Sequence, residues 1–258
     1  MADDIRIVLV EPSHPGNIGA AARAMKTMGL RDLCLVRPGR FPDPEAAVRA
    51  TGADDVLDGA SLYDSLDRAV ADCHLVMGTT ARSRRVAAEV CDAREGAREA
   101  VRCPGRVALV FGRERSGLTN GELDRCHLML TIPTDPGYSS LNLGAAVQVL
   151  CYEVMMAHRE HGPVPAPPAS APGSEPARAA ELAHFYDHLE EVLVETGFLD
   201  PQRPGQVMRR LRRLFGRARP TGREVQILRG FLSAAQGARS RPRRPAGARS
   251  IKQDDQGI

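Results

Sequence analysis

The chain has 258 residues, 43% of them hydrophobic and 26% charged, with a formal net charge of +3. That is enough apolar content for one large core or two modest ones, and no apolar run approaches the length of a membrane span. The start "MADDIRIVLVE" carries acids where a secretory leader carries bases, so a cytoplasmic protein is expected.

Strand and helix signals alternate through the first half, the pattern of βαβ units and a mainly parallel sheet. Strands are expected at 5–10 ("IRIVLV"), 33–38, 74–80, 106–112 and 127–133, with helices at about 17–29, 60–71, 93–101 and 120–125. A last long helix should run from Leu141 to about Arg159. The stretch 161–176, "HGPVPAPPASAPGSEP", has too many prolines for a helix or a ladder and reads as a linker. The expected organisation is an α/β domain over 1–160, that linker, a small all-α domain over 177–237 and a disordered basic tail over 238–258. Charge is unevenly spread along the chain. Residues 201–258 hold 15 Lys and Arg against 3 Asp and Glu, whereas residues 1–200 are net −9, so a polyanionic partner is expected.

The six cysteines, Cys34, Cys73, Cys91, Cys103, Cys126 and Cys151, are scattered, with no C-x-x-C and no histidine at ligand spacing. They read as reduced thiols, and no metal site is expected.

In open α/β sheets ligands bind beyond the carboxyl ends of the strands, and three such ends are distinctive. "SHPGNIGAAARAM" (13–25) opens a helix after the first strand, but Gly16 and Gly19 fit neither G-x-G-x-x-G nor a phosphate loop ending in G-K-[ST]. On a helical wheel Ile18, Ala21, Ala22, Met25 and Met28 form the core stripe. Arg23 points away from it beside Gly16, Ala20 and Thr27, small neighbours that leave room for a bulky partner; an ordinary solvated arginine stays open as a reading. In "LVFGRERSGLTNGEL" (109–123), Gly112 lets the backbone approach a ligand beside the charged run Arg113, Glu114, Arg115, or the segment is a plain surface turn. Asn120 should cap the short helix after it. In "IPTDPGYSSLNLGAAVQ" (132–148), Ser139 and Ser140 should cap the last helix, whose free N–H groups offer donors, and Asn142 adds an amide. A purely structural cap is equally open. No Ser/His/Asp set or paired carboxylates stand out, and His14, His74 and His127 read as structural or surface residues.

Taken together, in this order and spacing, the three motifs closely resemble the SpoU/TrmH class of SPOUT RNA methyltransferases. The segments "FYDHLEEVLVETGF", "PGQVMRRLRRLFGRARP" and "ILRGFL" resemble the C-terminal domain of the TrmJ family within it. The resemblance implies an α/β SPOUT fold whose C-terminal part is tied in a trefoil knot, a rare exception to unthreaded topology. It also implies S-adenosylmethionine as methyl donor in the knot loops, tRNA as partner, and a homodimer with its active sites at the subunit interface. Carried over residue by residue, the donor would contact Thr79, Thr80, Ala81, Gly112, Ile132, Ser139, Ser140 and Leu141, mostly through the backbone. Thr80 stands where the family usually has serine. Asn17, Arg23, Glu114, Ser140 and Asn142 match the catalytic positions, with Arg23 at the arginine treated as catalytic. The implied reaction is methyl transfer to the ribose 2′-hydroxyl of cytidine or uridine at tRNA position 32. Another tRNA position, ribosomal RNA, or non-catalytic RNA binding on the same fold are the alternatives. Arg209, Arg210, Arg212, Arg213, Arg217 and Arg219 would hold tRNA phosphates. With 4% aromatic residues and no Trp, recognition should run on charge and shape.

Overall fold

The run Ile5–Val10 (β1) is buried at every position, as a strand covered on both faces must be. Ile5, Ile7 and Leu9 enter one core, while Val8 and Val10 enter the other. In this computed structural model, which describes residues 4–81, 90–161, 175–202 and 206–240, β1 is joined by six further strands. These are β2 (Asp32–Val36), β3 (Ser61–Tyr63), β4 (Leu75–Thr79), β5 (Val90–Asp92), β6 (Val107–Phe111) and β7 (Leu128–Thr131). The sheet runs in the order β3-β2-β1-β6-β4-β7-β5, and every pairing is parallel.

Helices α1 (Pro15–Thr27), α2 (Pro44–Ala50), α3 (Asp54–Asp58), α5 (Ala93–Arg102) and α7 (Leu143–His161) bury their apolar residues on one face of the sheet. The short helices α4 (Leu66–Ala69) and α6 (Asn120–Leu123) lie on the other. Arg6, the buried charge of β1, is satisfied there. It donates to Asp32 at 3.0 Å, Asp72 at 2.7 Å and the Ala69 carbonyl at 2.7 Å.

Several expected elements change. The helix expected over 60–71 is β3 followed by α4, because Leu62 pairs with Leu35 and the Ser65 hydroxyl then starts a new helix by accepting the Arg68 N–H. Helices α2 and α3 were not expected, although Asp43 as cap with Pro44 at the first helical position is a start signal. The edge strand β5 was not expected either. Thr119, not Asn120, caps α6, in a reciprocal box with Glu122.

Helices α8 (Ala179–Glu195), α9 (Val207–Ala218) and α10 (Gly222–Ser240) share a separate core that includes Leu182, Phe185, Val192, Val225 and Leu232. Phe185 meets Phe215 edge-on at 4.8 Å. The Ala179 and Ala180 N–H groups donate to the carbonyls of Cys73 and Ala71, at 2.8 and 3.1 Å, docking the start of α8 on the α/β unit. Within the expected linker and tail, 162–174 and 241–258 lie outside the described residues. The knot and the oligomeric state stay expectations.

Candidate active site

Strand order decides which motifs meet. Because β1, β6, β4 and β7 are neighbours, their carboxyl ends bring together the start of α1, the turn after Gly112, Thr79–Ala81 and Ile132. The Glu114 carboxylate sits in that turn. It accepts the Asn17 amide N–H at 3.0 Å, the Ser13 N–H and hydroxyl at 3.1 and 3.0 Å, and the His14 N–H at 3.3 Å. Burial alone would raise this carboxyl, but those donors hold it below its ordinary range, so it is an ionised acceptor with its lone pairs engaged. The Asn17 Oδ1 accepts in turn from the Asn142 Nδ2 at 2.9 Å, and the Asn142 Oδ1 accepts the Gly144 N–H at 2.9 Å. One polar chain therefore links the β6 turn, α1 and α7, and it fixes the orientation of both amides.

Asn142 caps α7. Leu143 is the first helical residue, and the Asn142 main-chain carbonyl also accepts the Ala146 N–H at 2.9 Å. This corrects the expected cap at Ser139 and Ser140. Both serines and Leu141 instead lie exposed in the segment before the helix. Among the described residues neither serine hydroxyl has a hydrogen-bond partner.

Arg23 is exposed on α1, as the helical wheel has it, and Ile18, Ala21, Ala22 and Met25 are fully buried. Among the described residues its guanidinium has no hydrogen bond or ion pair. Small residues on α1 and α7 also serve helix packing. A Cβ on Gly19 would stand 2.1 Å from the Ala46 carbonyl oxygen, and one on Gly144 would stand 2.7 Å from the Ala20 Cβ. They let α2 and α7 close on α1, so smallness here is a helix-packing requirement.

Of the charged run after Gly112, only Glu114 reaches this cluster. Arg113 bridges Glu11 at 2.6 Å and grips Glu122 with two bonds, at 2.9 and 3.0 Å. Bonded first by Arg113, the Glu11 carboxyl is held down to about 2. Glu11 and Arg37 adopt φ of 47° and 45°, left-handed conformations at the ends of β1 and β2, and they also pair with each other. This lattice anchors the turn that carries Glu114. Arg115 is exposed.

Thr79 ends β4, the Thr80 N–H donates to the Leu130 carbonyl at 2.9 Å, Ala81 is exposed, and Gly112 and Ile132 follow the flanking strands. Ser13 and His14 were not expected in the site. Both donate main-chain N–H groups to Glu114, Ser13 adds its hydroxyl, and the His14 Nδ1 caps α1 by accepting the Gly16 N–H at 3.2 Å. Nothing in residue type marks such backbone donors in a sequence. His127 is structural, as expected: its Nδ1 accepts the Val76 N–H at 3.0 Å, extending the pairing of β4 with β7.

The six arginines expected to hold RNA divide by environment. Arg209 bonds Asp124 at 3.0 Å and Arg219 bonds Glu99 at 3.0 Å, both across to the α/β unit. Arg212 lies over the Tyr186 ring, 4.6 Å from its centre. Arg210, Arg213 and Arg217 have no acidic partner among the described residues. Among those residues no group of three or more His, Cys, Asp or Glu could hold a metal, and no helix is long and apolar enough to cross a membrane.

Residues 4–152 match the SpoU rRNA Methylase family, and residues 180–246 match the domain described as tRNA methyltransferase TrmJ, C-terminal domain. The tRNA (cytidine/uridine-2′-O-)-methyltransferase TrmJ of Pectobacterium atrosepticum is 52% identical over 240 residues, which cover 92% of this chain and 98% of that one. The tRNA (cytidine/uridine/adenosine-2′-O-)-methyltransferase TrmJ of Pseudomonas aeruginosa is 50% identical over 244 residues, 92% of this chain and 95% of that one. The crystal structure of TrmJ from Z. mobilis superposes with a TM-score of 0.78 at 36% identity, covering 90% of this chain and 98% of that one. A structure described as giving insight into the 2-OH methylation of C/U34 on tRNA superposes with a TM-score of 0.50 at 28% identity, over 60% of this chain and 97% of that one.

Proposed function

The chain belongs to the SpoU rRNA methylase family, and from that premise we propose that it is an S-adenosylmethionine-dependent tRNA ribose 2′-O-methyltransferase acting on cytidine or uridine at position 32 of the anticodon loop. The observation that carries this reading is the chain Glu114–Asn17–Asn142, which ties the three motif segments into one site beside adjacent strand ends.

When bound, S-adenosylmethionine supplies an electrophilic methyl group. The residues present suit it: Thr79–Ala81, Gly112 and Ile132 stand at the carboxyl ends of three adjacent strands, and the exposed segment Ser139–Leu141 lies before α7. Such a site holds a ligand largely through main-chain atoms. Asn17 and Asn142, oriented by Glu114 and by the Gly144 N–H, set the register of α1 against α7. Arg23, with its donors free, clamps the phosphate beside the acceptor ribose and stabilises negative charge developing on the 2′-oxygen. A guanidinium stays protonated in proteins and is a poor base, and the Glu114 lone pairs are engaged, so alignment of the hydroxyl is the main contribution of these residues. The free hydroxyl of Ser140 is a further donor or acceptor for the ribose.

Basic helix α9 holds tRNA by its phosphates. The exposure of Arg23 and of Ser139–Asn142 supports a site completed by a second copy of the chain, as a homodimer. A tRNA substrate supports a cytoplasmic setting. A second reading, methylation at position 34, is favoured by the C/U34 structure, but that chain aligns with only 60% of this one. Position 32 is what the resemblance to the TrmJ family implies, and the family match extends through residues 180–246.

Incubation with total tRNA and labelled donor, followed by mapping of the methylated nucleotide, separates the readings. Label at nucleotide 32 is the expected result, label at 34 selects the alternative, and no transfer to tRNA rejects both. Arg23→Lys should lower turnover roughly hundredfold while donor affinity holds, since one ammonium cannot replace a two-pronged clamp. Near-normal turnover would defeat the clamp.

A further inference from the structure

A cavity of about 960 Å³ opens between the α/β unit and helices α8 and α9. It lies on the face of the sheet that carries α4 and α6, away from α1. Its apolar lining, including Val70, Leu123 and Leu182, is overlaid by charge: six arginines against three aspartates. Two of the aspartates are already used, Asp67 by Arg125 and Asp124 by Arg209, and Arg68 pairs with Asp64. Among the described residues lining the cleft, that leaves Arg212, Arg213 and Arg217 facing Asp187 alone.

We propose that this cleft is a phosphate site for RNA, through which a stretch of tRNA backbone passes between the two units. The inference rests on the reading of tRNA as substrate. Three guanidinium groups sharing one recess with a single free carboxylate repel each other, and a polyanion relieves that repulsion. Their spacing suits a strand better than a point ligand. Arg213 and Arg217, four residues apart on one side of α9, form a short row of about 6 Å at 1.5 Å per residue, with the brace Arg209 one turn before it. Arg212 stands beside that row over the Tyr186 ring, a flat cationic surface of the kind on which an unstacked base rests.

The walls are also fixed before anything binds. Arg209 to Asp124 and Arg219 to Glu99 clamp α9 to the α/β unit, and the Ala179 and Ala180 N–H bonds hold the start of α8. A cleft held open in this way costs little ordering when RNA enters. The basic helix therefore has two tasks: Arg209 and Arg219 brace the units, while Arg212, Arg213 and Arg217 meet phosphate. Since the cleft faces away from α1, its contacts fall on RNA distant from the acceptor ribose and should govern binding more than chemistry.

The test uses the full chain with tRNA. Arg213→Gln and Arg217→Gln are compared with Arg210→Gln, an equal charge change on α9 outside the cleft, with thermal unfolding as the check on folding. Each cleft variant should weaken tRNA binding several-fold and make the slope of log affinity against log salt shallower by about 0.7 to 0.9. KM for tRNA should rise in step, with the effect on kcat much smaller and Kd for S-adenosylmethionine unmoved. Arg210→Gln should change Kd and slope by less than half as much. The cleft is overturned if Arg213→Gln and Arg217→Gln bind tRNA as the parent does, or if Arg210→Gln weakens binding equally. Parent protein that methylates tRNA while those results appear sinks the cleft alone; parent protein that neither binds nor methylates tRNA sinks the underlying reading.

Discussion

Gly112 stands where β6 delivers the chain into the site, and a single methyl group there should disable it. A Cβ at Gly112 would lie 2.2 Å from the Gly117 carbonyl carbon, 2.3 Å from the Leu118 nitrogen and 2.6 Å from the Gly117 oxygen. Carbon atoms pack no closer than about 3.5 Å, and all three obstacles are backbone, so the turn 113–117 must move by about 1 Å. That turn is closed by reciprocal bonds between Arg113 and Gly117, at 3.2 and 2.9 Å, and it carries Glu114, whose bond to Asn17 is 3.0 Å. A displacement of that size breaks the Glu114–Asn17 bond. Overpacking of this kind costs about 1 to 3 kcal/mol, and weakening the two turn bonds adds about 1 kcal/mol. Gly112→Ala should therefore lower the melting temperature by about 5 to 12 °C and lower turnover on tRNA by about a hundredfold, since a 1 Å misplacement is costly in an aligned displacement. Thermal unfolding, donor titration and single-turnover methylation read these effects separately. A melting temperature and turnover equal to those of the parent would refute the claim that the turn is packed against the strand end too tightly for a side chain.

Glu114→Gln keeps the shape of the side chain but loses its charge, and the charge-assisted bonds to Ser13, His14 and Asn17 are about twice as strong as neutral ones. Turnover should fall several-fold with donor affinity retained, and equal turnover would count against a positioning role. The carboxylate's folded pKa is depressed, so the stability it lends is present above its ordinary value and is lost as pH falls through the folded value; the Gln variant should show a flatter stability profile at acid pH. Arg6→Met would strand Asp32 and leave Asp72 to Arg106 alone. Because both aspartates are partly exposed, the loss should be about 2 to 3 kcal/mol, below the full penalty for a broken buried pair, and chemical denaturation measures it. Burial, aided by Arg219, pushes the His127 imidazole from 6.5 down to about 4. Its folded pKa is depressed, so stability is complete above about 6.5 and declines as pH falls towards 4, where protonation of Nδ1 sets a donor against the Val76 N–H. His127→Gln should be less stable at neutral pH and flatter over that window, and an unchanged slope in melting temperature against pH would reject this assignment.

The alternation of apolar runs with helical stretches was enough to specify a parallel α/β sheet, because strand and helix periods are local properties of neighbouring residues. The composition break at 161–176 and the basic residues beyond it were equally legible. The motif residues were visible too, but only as residue types beside strand ends. Their meeting was not visible. Asn17 bonds a residue 97 positions away in Glu114 and another 125 positions away in Asn142, and that depends on β6 lying beside β1, which no local pattern encodes. The same limit explains the misplaced cap of α7. Ser139, Ser140 and Asn142 are all good capping residues, and the choice fell to Asn142 because Asn17 engages the other end of its amide. That Ala20 packs against Gly144 of α7, and Gly19 against Ala46 of α2, is likewise decided by helix docking. The arginines of α9 are alike in sequence, and only the packing of α9 against the sheet unit divides them into braces and free cations. Local periodicity thus determined the elements and their faces, while the partners of each polar side chain were decided by strand order and helix docking, which act through space rather than along the chain.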